Sequence, residues 1–290
     1  MEMYLFNIVN LRCSYEKPYV EGTSRVVLEI HHLQIERGQK VFIVGESGIG
    51  KSTILETLGM MNNTIVPDSS TRFLFQGADG GKTDLCALWN ENDNKLSQFR
   101  LKNYSFIFQS TNLMRNFTAY ENVAYTRMLQ GYSQKECFER TRQVLEDLGL
   151  ERIDEQRLTQ ELSGGQQQRL AFARAILPDF TVLFGDEPTG NLDPENAVKV
   201  MRIIRDKLNS QQDASAIIVS HDMHLATSFA DVIIKIRKGV RPKQHDDDEE
   251  INYGIIDDTC VFHPNESRSE WGNGSEHYVT VDFEEYLRKK

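Results

Sequence analysis

Eight consecutive residues, Gly45-Glu46-Ser47-Gly48-Ile49-Gly50-Lys51-Ser52, fit the spacing G-x-x-x-x-G-K-[ST]. Glycines at these places let successive backbone N–H groups turn inward and wrap an oxyanion at a helix N-terminus, where the helix dipole also favours negative charge. The chemistry is the capture of a nucleoside polyphosphate. Lys51 reaches the β- and γ-phosphates, Ser52 offers its hydroxyl to Mg²⁺, and the cradle runs from Gly45 to Thr53. The plainer reading of the same residues is a glycine turn that opens a helix. A second segment, Thr181-Val182-Leu183-Phe184-Gly185-Asp186-Glu187, is an apolar strand ending in two acids. Carboxylates so placed lie at the C-terminal edge of a sheet, where ligands bind in open α/β folds. There Asp186 would hold the hydration shell of Mg²⁺ and Glu187 would orient and polarise an attacking water. Taken alone, a strand followed by Asp-Glu could equally be a helix cap.

The elements that must position these groups are legible around them. Residues 4–44 carry short runs that alternate apolar and polar residues, as half-buried strands do, and Val41–Val44 leads directly into the glycine-rich turn and the helical Ser52–Leu58. Strand, loop and helix follow in the order a phosphate loop requires. From Asn112 to about Leu162 the spacing of Val144, Leu145, Leu148 and Leu150 predicts a separate helical lobe, taken as about 112–165. Beyond it, helix over Gln166–Ile176, strand over Thr181–Gly185, helix over Glu195–Leu208 and strands over Ala216–Val219 and Val232–Ile236 alternate, which implies a parallel core sheet.

Leu162-Ser163-Gly164-Gly165-Gln166 is a glycine-rich helix start of much narrower specificity, and here the chain resembles the ABC ATPases, whose signature is Leu-Ser-Gly-Gly-Gln. The family's other markers follow in order. Gln109 after Phe106-Ile107-Phe108 resembles the Q-loop, Asn191-Leu192-Asp193 the D-loop, and His221 in Val219-Ser220-His221-Asp222 the switch histidine. Tyr15 stands where the family stacks an aromatic on adenine, although an aromatic after a strand is also ordinary packing. The resemblance covers about residues 4–240. Lys95-Leu96-Ser97-Gln98-Phe99-Arg100, Asn112-Leu113, Thr118-Ala119-Tyr120-Glu121-Asn122-Val123 and Pro188-Thr189-Gly190-Asn191-Leu192-Asp193 are similar to the lipoprotein-releasing and macrolide-exporter branch (LolD and MacB), with features shared by the cell-division ATPase FtsE. Arg115 departs from that branch, which has proline in this partner-facing loop.

The resemblance implies an α/β P-loop NTPase of ABC type, with a mixed core sheet, a β-subdomain, a helical signature subdomain and a C-terminal extension. It implies ATP and Mg²⁺ as ligands. Glu187, His221, Gln109 and Lys51 would be catalytic, and Ser52, Gln109 and Asp186 would hold the metal. Tyr15, the residues from Gly45 to Thr53, Ser163, Gly164, Gly165, Gln166 and Asp193 would bind nucleotide. Because the signature of one subunit caps the phosphate held by another, two copies or two paired ABC subunits would close head to tail. Gln109 would signal to membrane permease subunits contacting 110–125. A soluble ABC ATPase acting on nucleic acid or ribosomes is the alternative, and a silent scaffold would need a broken motif that this chain lacks.

Composition bounds the rest. The chain has 290 residues and 39% hydrophobic residues, ample for a packed core, and a net charge of −10 of which residues 241–290 hold −7. The near-neutral remainder carries no basic stripe, so no nucleic-acid partner is expected. No secretory leader or membrane-length apolar run is read, so the chain is expected in the cytoplasm, and the resemblance implies a peripheral place on the inner face of the cell membrane. Cys13, Cys86, Cys137 and Cys260 show no CxxC spacing and read as reduced thiols. Residues 1–240 are taken as the ATPase domain and 241–290 as an acidic linker, with Asp246–Glu250, followed by an extension whose six aromatics could fold back on the body. Since every marker lies between Tyr15 and His221, the extension is expected to be dispensable for hydrolysis.

Overall fold

A computed structural model describes residues 4–15, 26–190, 192–211, 213–241 and 251–289. The acidic run Asp246–Glu250 and Asn191 lie outside the described residues. The chain opens with β1 (Tyr4–Ser14), β2 (Val26–Glu36) and β3 (Lys40–Val44), followed by α1 (Lys51–Leu58). β4 (Ile65–Val66), β5 (Arg72–Gln76), β6 (Lys82–Asp84), α2 (Leu85–Leu88) and α3 (Asp93–Asn103) lead to β7 (Tyr104–Ile107). Then come α4 (Ala119–Leu129), α5 (Gln134–Asp147), α6 (Gly164–Ile176), β8 (Val182–Asp186), α7 (Pro194–Ser210), β9 (Ser215–Val219), α8 (Met223–Phe229) and β10 (Val232–Lys235). The C-terminal part contributes β11 (Arg237–Arg241), β12 (Ile251–Ile256), β13 (Val261–Pro264), β14 (Glu270–Gly272), β15 (His277–Val279) and α9 (Thr280–Arg288).

Among the described residues the strands form two sheets. The core sheet runs β15-β14-β13-β10-β3-β9-β8-β7, and its five strands from β10 to β7 are parallel. Strict two-residue alternation explains how one sheet serves two apolar layers. Phe42, Leu183, Ile218 and Ile233 face the helices of one layer, whereas Ile43, Phe184, Ile217 and Ile234 face the antiparallel strands and α1 on the other. Because both faces are covered, these strands read as continuous apolar runs. The second sheet follows the order β11-β12-β2-β1-β5-β6, with β4 beside β1. α7 is amphipathic by the same logic at helical period: Ala197, Val200, Met201, Ile204 and Leu208 are buried, and Asp193 caps its start.

The structure narrows the helical reading of 112–162. Helix is present at α4, α5 and a short turn at Thr159–Glu161, while Ser110–Phe117 is irregular. The reason is a buried side chain. The Asn122 amide donates to the Met114 carbonyl (2.9 Å) and to Thr159 Oγ1 (2.8 Å) and accepts from the Met114 N–H (2.8 Å), so it satisfies backbone that a helix would have paired internally.

The described C-terminal residues pack into both sheets. β12 lies antiparallel to β11 and parallel to β2, β13 lies antiparallel to β10, and α9 covers α8. Phe262, Trp271 and Phe283 are wholly buried, with Phe283 stacked on Trp271 at 5.4 Å between ring centroids. We expect Phe283→Ala to destabilise the protein by about 3–5 kcal/mol, the range for deleting a buried aromatic. The midpoint of denaturant unfolding measures it, and a shift under about 1 kcal/mol would mean that this segment is not part of the cooperative core.

Candidate active site

The phosphate loop sits where the parallel sheet delivers it. β3 lies between β10 and β9, and its chain emerges at the edge where all the parallel strands end. Gly48 (φ 76°) and Gly50 (φ 104°) take left-handed backbone that side chains resist, and a Cβ at Gly50 would meet the Val27 carbonyl at 3.4 Å. α1 then starts with no side-chain cap and no acid in its first turn, which leaves its N–H groups directed at the loop. Lys51 is buried, and its ammonium donates to the carbonyls of Gly45 (2.8 Å) and Glu46 (2.7 Å). Burial lowers its pKa, opposed by the negative charge of Glu187, Asp186 and Glu46. Ser52 is exposed at the helix start and Thr53 is buried behind it.

Strand register assembles the remaining charged groups. β7, β8 and β9 pair Ile107 with Gly185 and Asp186 with Val219, so the residues just past each strand emerge side by side. Glu187 is thereby flanked. Its Oε1 lies 2.9 Å from His221 Nε2, and its Oε2 accepts from Gln109 Nε2 at 3.4 Å. The backbone of Glu187 is left-handed (φ 49°) and its N–H donates to the Val219 carbonyl at 3.0 Å, a strained geometry for a side chain of this size. Burial pushes the Asp186 carboxyl above its ordinary pKa, Glu187 and Glu56 add to the rise, and Lys51 and His221 oppose it.

Tyr15 is tied to the outer side of α1, its hydroxyl 3.1 Å from Thr53 Oγ1 and donating to Glu56 Oε2 at 3.0 Å. Tyr15 is 55% exposed, beside the loop rather than in the core. The signature segment lies elsewhere. Ser163 caps α6 reciprocally with Gln166: Ser163 Oγ accepts from the Gln166 N–H, and Gln166 Oε1 accepts from the Ser163 N–H. Gly164 and Gly165 are exposed, and a Cβ on either would meet nothing within 4 Å, so packing inside this chain gives no reason for glycine there. Gly165 and Asp193 border a cavity of about 470 Å³ separate from the phosphate loop. Asp193 accepts from the Asn196 N–H at 3.0 Å and from its side-chain amide at 2.6 Å, which holds its carboxyl below the usual range. The structure thus gathers Lys51, Asp186, Glu187, Gln109 and His221, and leaves Ser163, Gly164, Gly165, Gln166 and Asp193 on another surface.

Two features escaped the motif reading. Arg174, on the signature helix α6, donates to the carbonyls of Thr111 (2.9 Å) and Asn112 (2.7 Å), joining that helix to the segment after Gln109. An arginine eight residues beyond a signature has no spacing rule that reveals this. The second feature is a C-terminal border to the surroundings of the site, beyond His221. A cavity of about 670 Å³ is lined by Gly45, Glu46, Ser47 and His221 on one side and by Tyr286, Leu287, Arg288 and Lys289 on the other. The buried aromatics of the C-terminal segment seat α9 there, so its dispensability for hydrolysis no longer follows.

Comparison with known proteins agrees with this geometry. The family model described as "ABC transporter" matches residues 28–190. The lipoprotein-releasing system ATP-binding protein LolD of Saccharophagus degradans is 36% identical over 230 residues, covering 79% of this chain and 94% of that relative. The macrolide export ATP-binding/permease protein MacB of Aggregatibacter actinomycetemcomitans is 38% identical over 235 residues, covering 80% of this chain but 34% of MacB. Among solved structures, a dimeric post-hydrolysis state of an ATP-binding cassette bound to ADP and phosphate is similar with a TM-score of 0.65 and 29% identity. That match covers 79% of this chain and 93% of the other.

Proposed function

The chain belongs to the ABC transporter ATP-binding family, and from that premise we propose that it binds and hydrolyses ATP between two head-to-tail copies to power membrane permease subunits. The observation that carries the reading is the placement of Glu187 between Gln109 and His221 at the sheet edge that also carries the phosphate loop. Glu187 orients and polarises the attacking water, and His221 and Gln109 fix the direction of its carboxylate. Lys51 offsets the charge of the β- and γ-phosphates. The Ser52 hydroxyl, the Gln109 amide oxygen and the Asp186 carboxylate are hard oxygen donors suited to Mg²⁺, which when bound neutralises phosphate charge. Tyr15 is assigned to the adenine.

A second copy supplies what one chain lacks. Ser163, Gly164 and Gly165 are exposed, and a Cβ on either glycine would meet nothing within 4 Å, which leaves room for the terminal phosphate of a partner's nucleotide at this helix N-terminus. Gln166 and Asp193 complete that face. The relatives are named for lipoprotein release and macrolide export rather than for work on nucleic acid. We accordingly take residues 1–240 as the ATPase domain, about 112–165 as its helical subdomain and 241–290 as an extension, of which the described residues 251–289 pack on it. No helix among the described residues is long and apolar enough to cross a membrane, and we place the protein as a peripheral subunit on the cytoplasmic face.

The permease contact is assigned to 110–125, the segment that Arg174 ties to the signature helix. Tyr125, at the end of this segment, is 43% exposed and packs edge-on against Phe117. We expect the protein to co-purify from detergent-solubilised membranes with a multi-spanning polypeptide, and Tyr125→Asp to lose that partner with nucleotide affinity unchanged. Retention of the partner by the variant would move the contact elsewhere, and absence of any membrane partner of the parent protein would remove the coupling role.

A further inference from the structure

The C-terminal helix borders one cavity together with Gly45, Glu46, Ser47 and His221, and a chain of specific contacts holds it there. Phe283 and Leu287 anchor one face of α9 in the core, and Glu284 accepts from Thr227 Oγ1 on α8 at 2.8 Å. At its last turn, Lys235 donates to the Tyr286 carbonyl at 2.7 Å and lies over the Tyr286 ring at 3.8 Å. Lys235 ends β10, paired with Val44 at the root of the phosphate loop. The end of α9 is therefore fixed to the same strand edge as the loop.

What α9 delivers there is positive charge. The 670 Å³ cavity has Lys235, Arg237, Lys238, Arg288 and Lys289 in its lining against one acid, Glu46, in a chain whose net charge is −10. Three of these cations have partners among the described residues: Lys235 with Tyr286, Arg237 with Asp257 and Arg288 with Glu284. Arg288 differs from the rest in position. It borders this cavity beside Gly45, Glu46 and Ser47, and also the adjoining one lined by Glu187, Ser220 and His221. Its ion pair with Glu284, at 3.7 Å, is exposed on the arginine side and weak. A guanidinium here can turn from Glu284 towards an oxyanion lying between Ser47 and His221.

We propose that Arg288 is a further binding residue of the nucleotide site, directed at the terminal phosphate of ATP, so that the C-terminal extension takes part in telling triphosphate from diphosphate. The inference rests on the ATPase reading above. Charge-assisted contact to the γ-phosphate strengthens ATP binding and leaves ADP, which lacks that group, untouched. Arg288→Gln is expected to weaken ATP binding about tenfold and to change ADP binding less than about twofold, with Arg288→Lys intermediate because a point charge keeps attraction but loses the fork. Calorimetric titration with ATP and with ADP, in chelator to prevent turnover, reads both affinities on the full chain. The side chain is mostly exposed, so thermal unfolding should match that of the parent. Equal effects on ATP and ADP, no effect on either, or the same ATP-selective loss in Lys238→Gln would overturn the assignment, the last by showing a diffuse field in place of a contact. A parent protein that binds neither nucleotide would instead overturn the ATPase reading itself.

Discussion

Glu187→Gln should bind ATP with unchanged affinity and hydrolyse it about a thousandfold more slowly than the parent, the order of effect expected for losing a general base. The substitution is nearly isosteric: the amide oxygen can still accept from Gln109, while the NH2 that replaces the other oxygen can donate to His221 Nε2 in the tautomer that leaves it unprotonated, so the side chain keeps its place. The carboxylate charge that polarises water does not. Because the phosphate cradle of Gly45 to Thr53 is untouched, the loss falls on turnover rather than on affinity. Steady-state phosphate release gives kcat, and titration with ATP gives affinity. Turnover within tenfold of the parent would take Glu187 out of its assigned role.

Lys51→Ala should weaken ATP binding by at least about 100-fold, since it removes a charge-assisted donor shared by two phosphates. In the folded chain the same ammonium donates to the carbonyls of Gly45 and Glu46, so it also holds the loop in its curved form. Both effects act in one direction. ATP titration by calorimetry is the check, with circular dichroism showing that the fold persists. Unchanged affinity would reduce the glycine loop to a structural turn.

How far the sequence alone reveals this site depends on the range of the interactions involved. Gly48, Gly50 and Lys51 are legible because their roles are local: left-handed backbone, a helix start and a charge at fixed spacing. The meeting of Gln109, Glu187 and His221 is legible at one remove, since each follows an apolar strand and parallel strands end on one edge. The extension is different. Trp271 and Phe283 show no helpful period, and their burial depends on β10 and α8, elements more than thirty residues earlier in the chain. Nor could periodicity foresee that Asn122 holds Met114 in an irregular loop, because a side-chain amide replacing backbone pairing leaves no spacing signature.

The exposed signature bears on the central claim, that two copies complete one another's sites. Gly164 and Gly165 face open space, and their cavity is not the one beside the phosphate loop. The most direct measurement is the solution mass of the Glu187→Gln protein by light scattering with Mg²⁺ and either ATP or ADP, at concentrations where calorimetry shows the nucleotide bound. A doubling of mass with ATP and a monomer with ADP is the predicted result, and a protein that stays monomeric when saturated with ATP would contradict it.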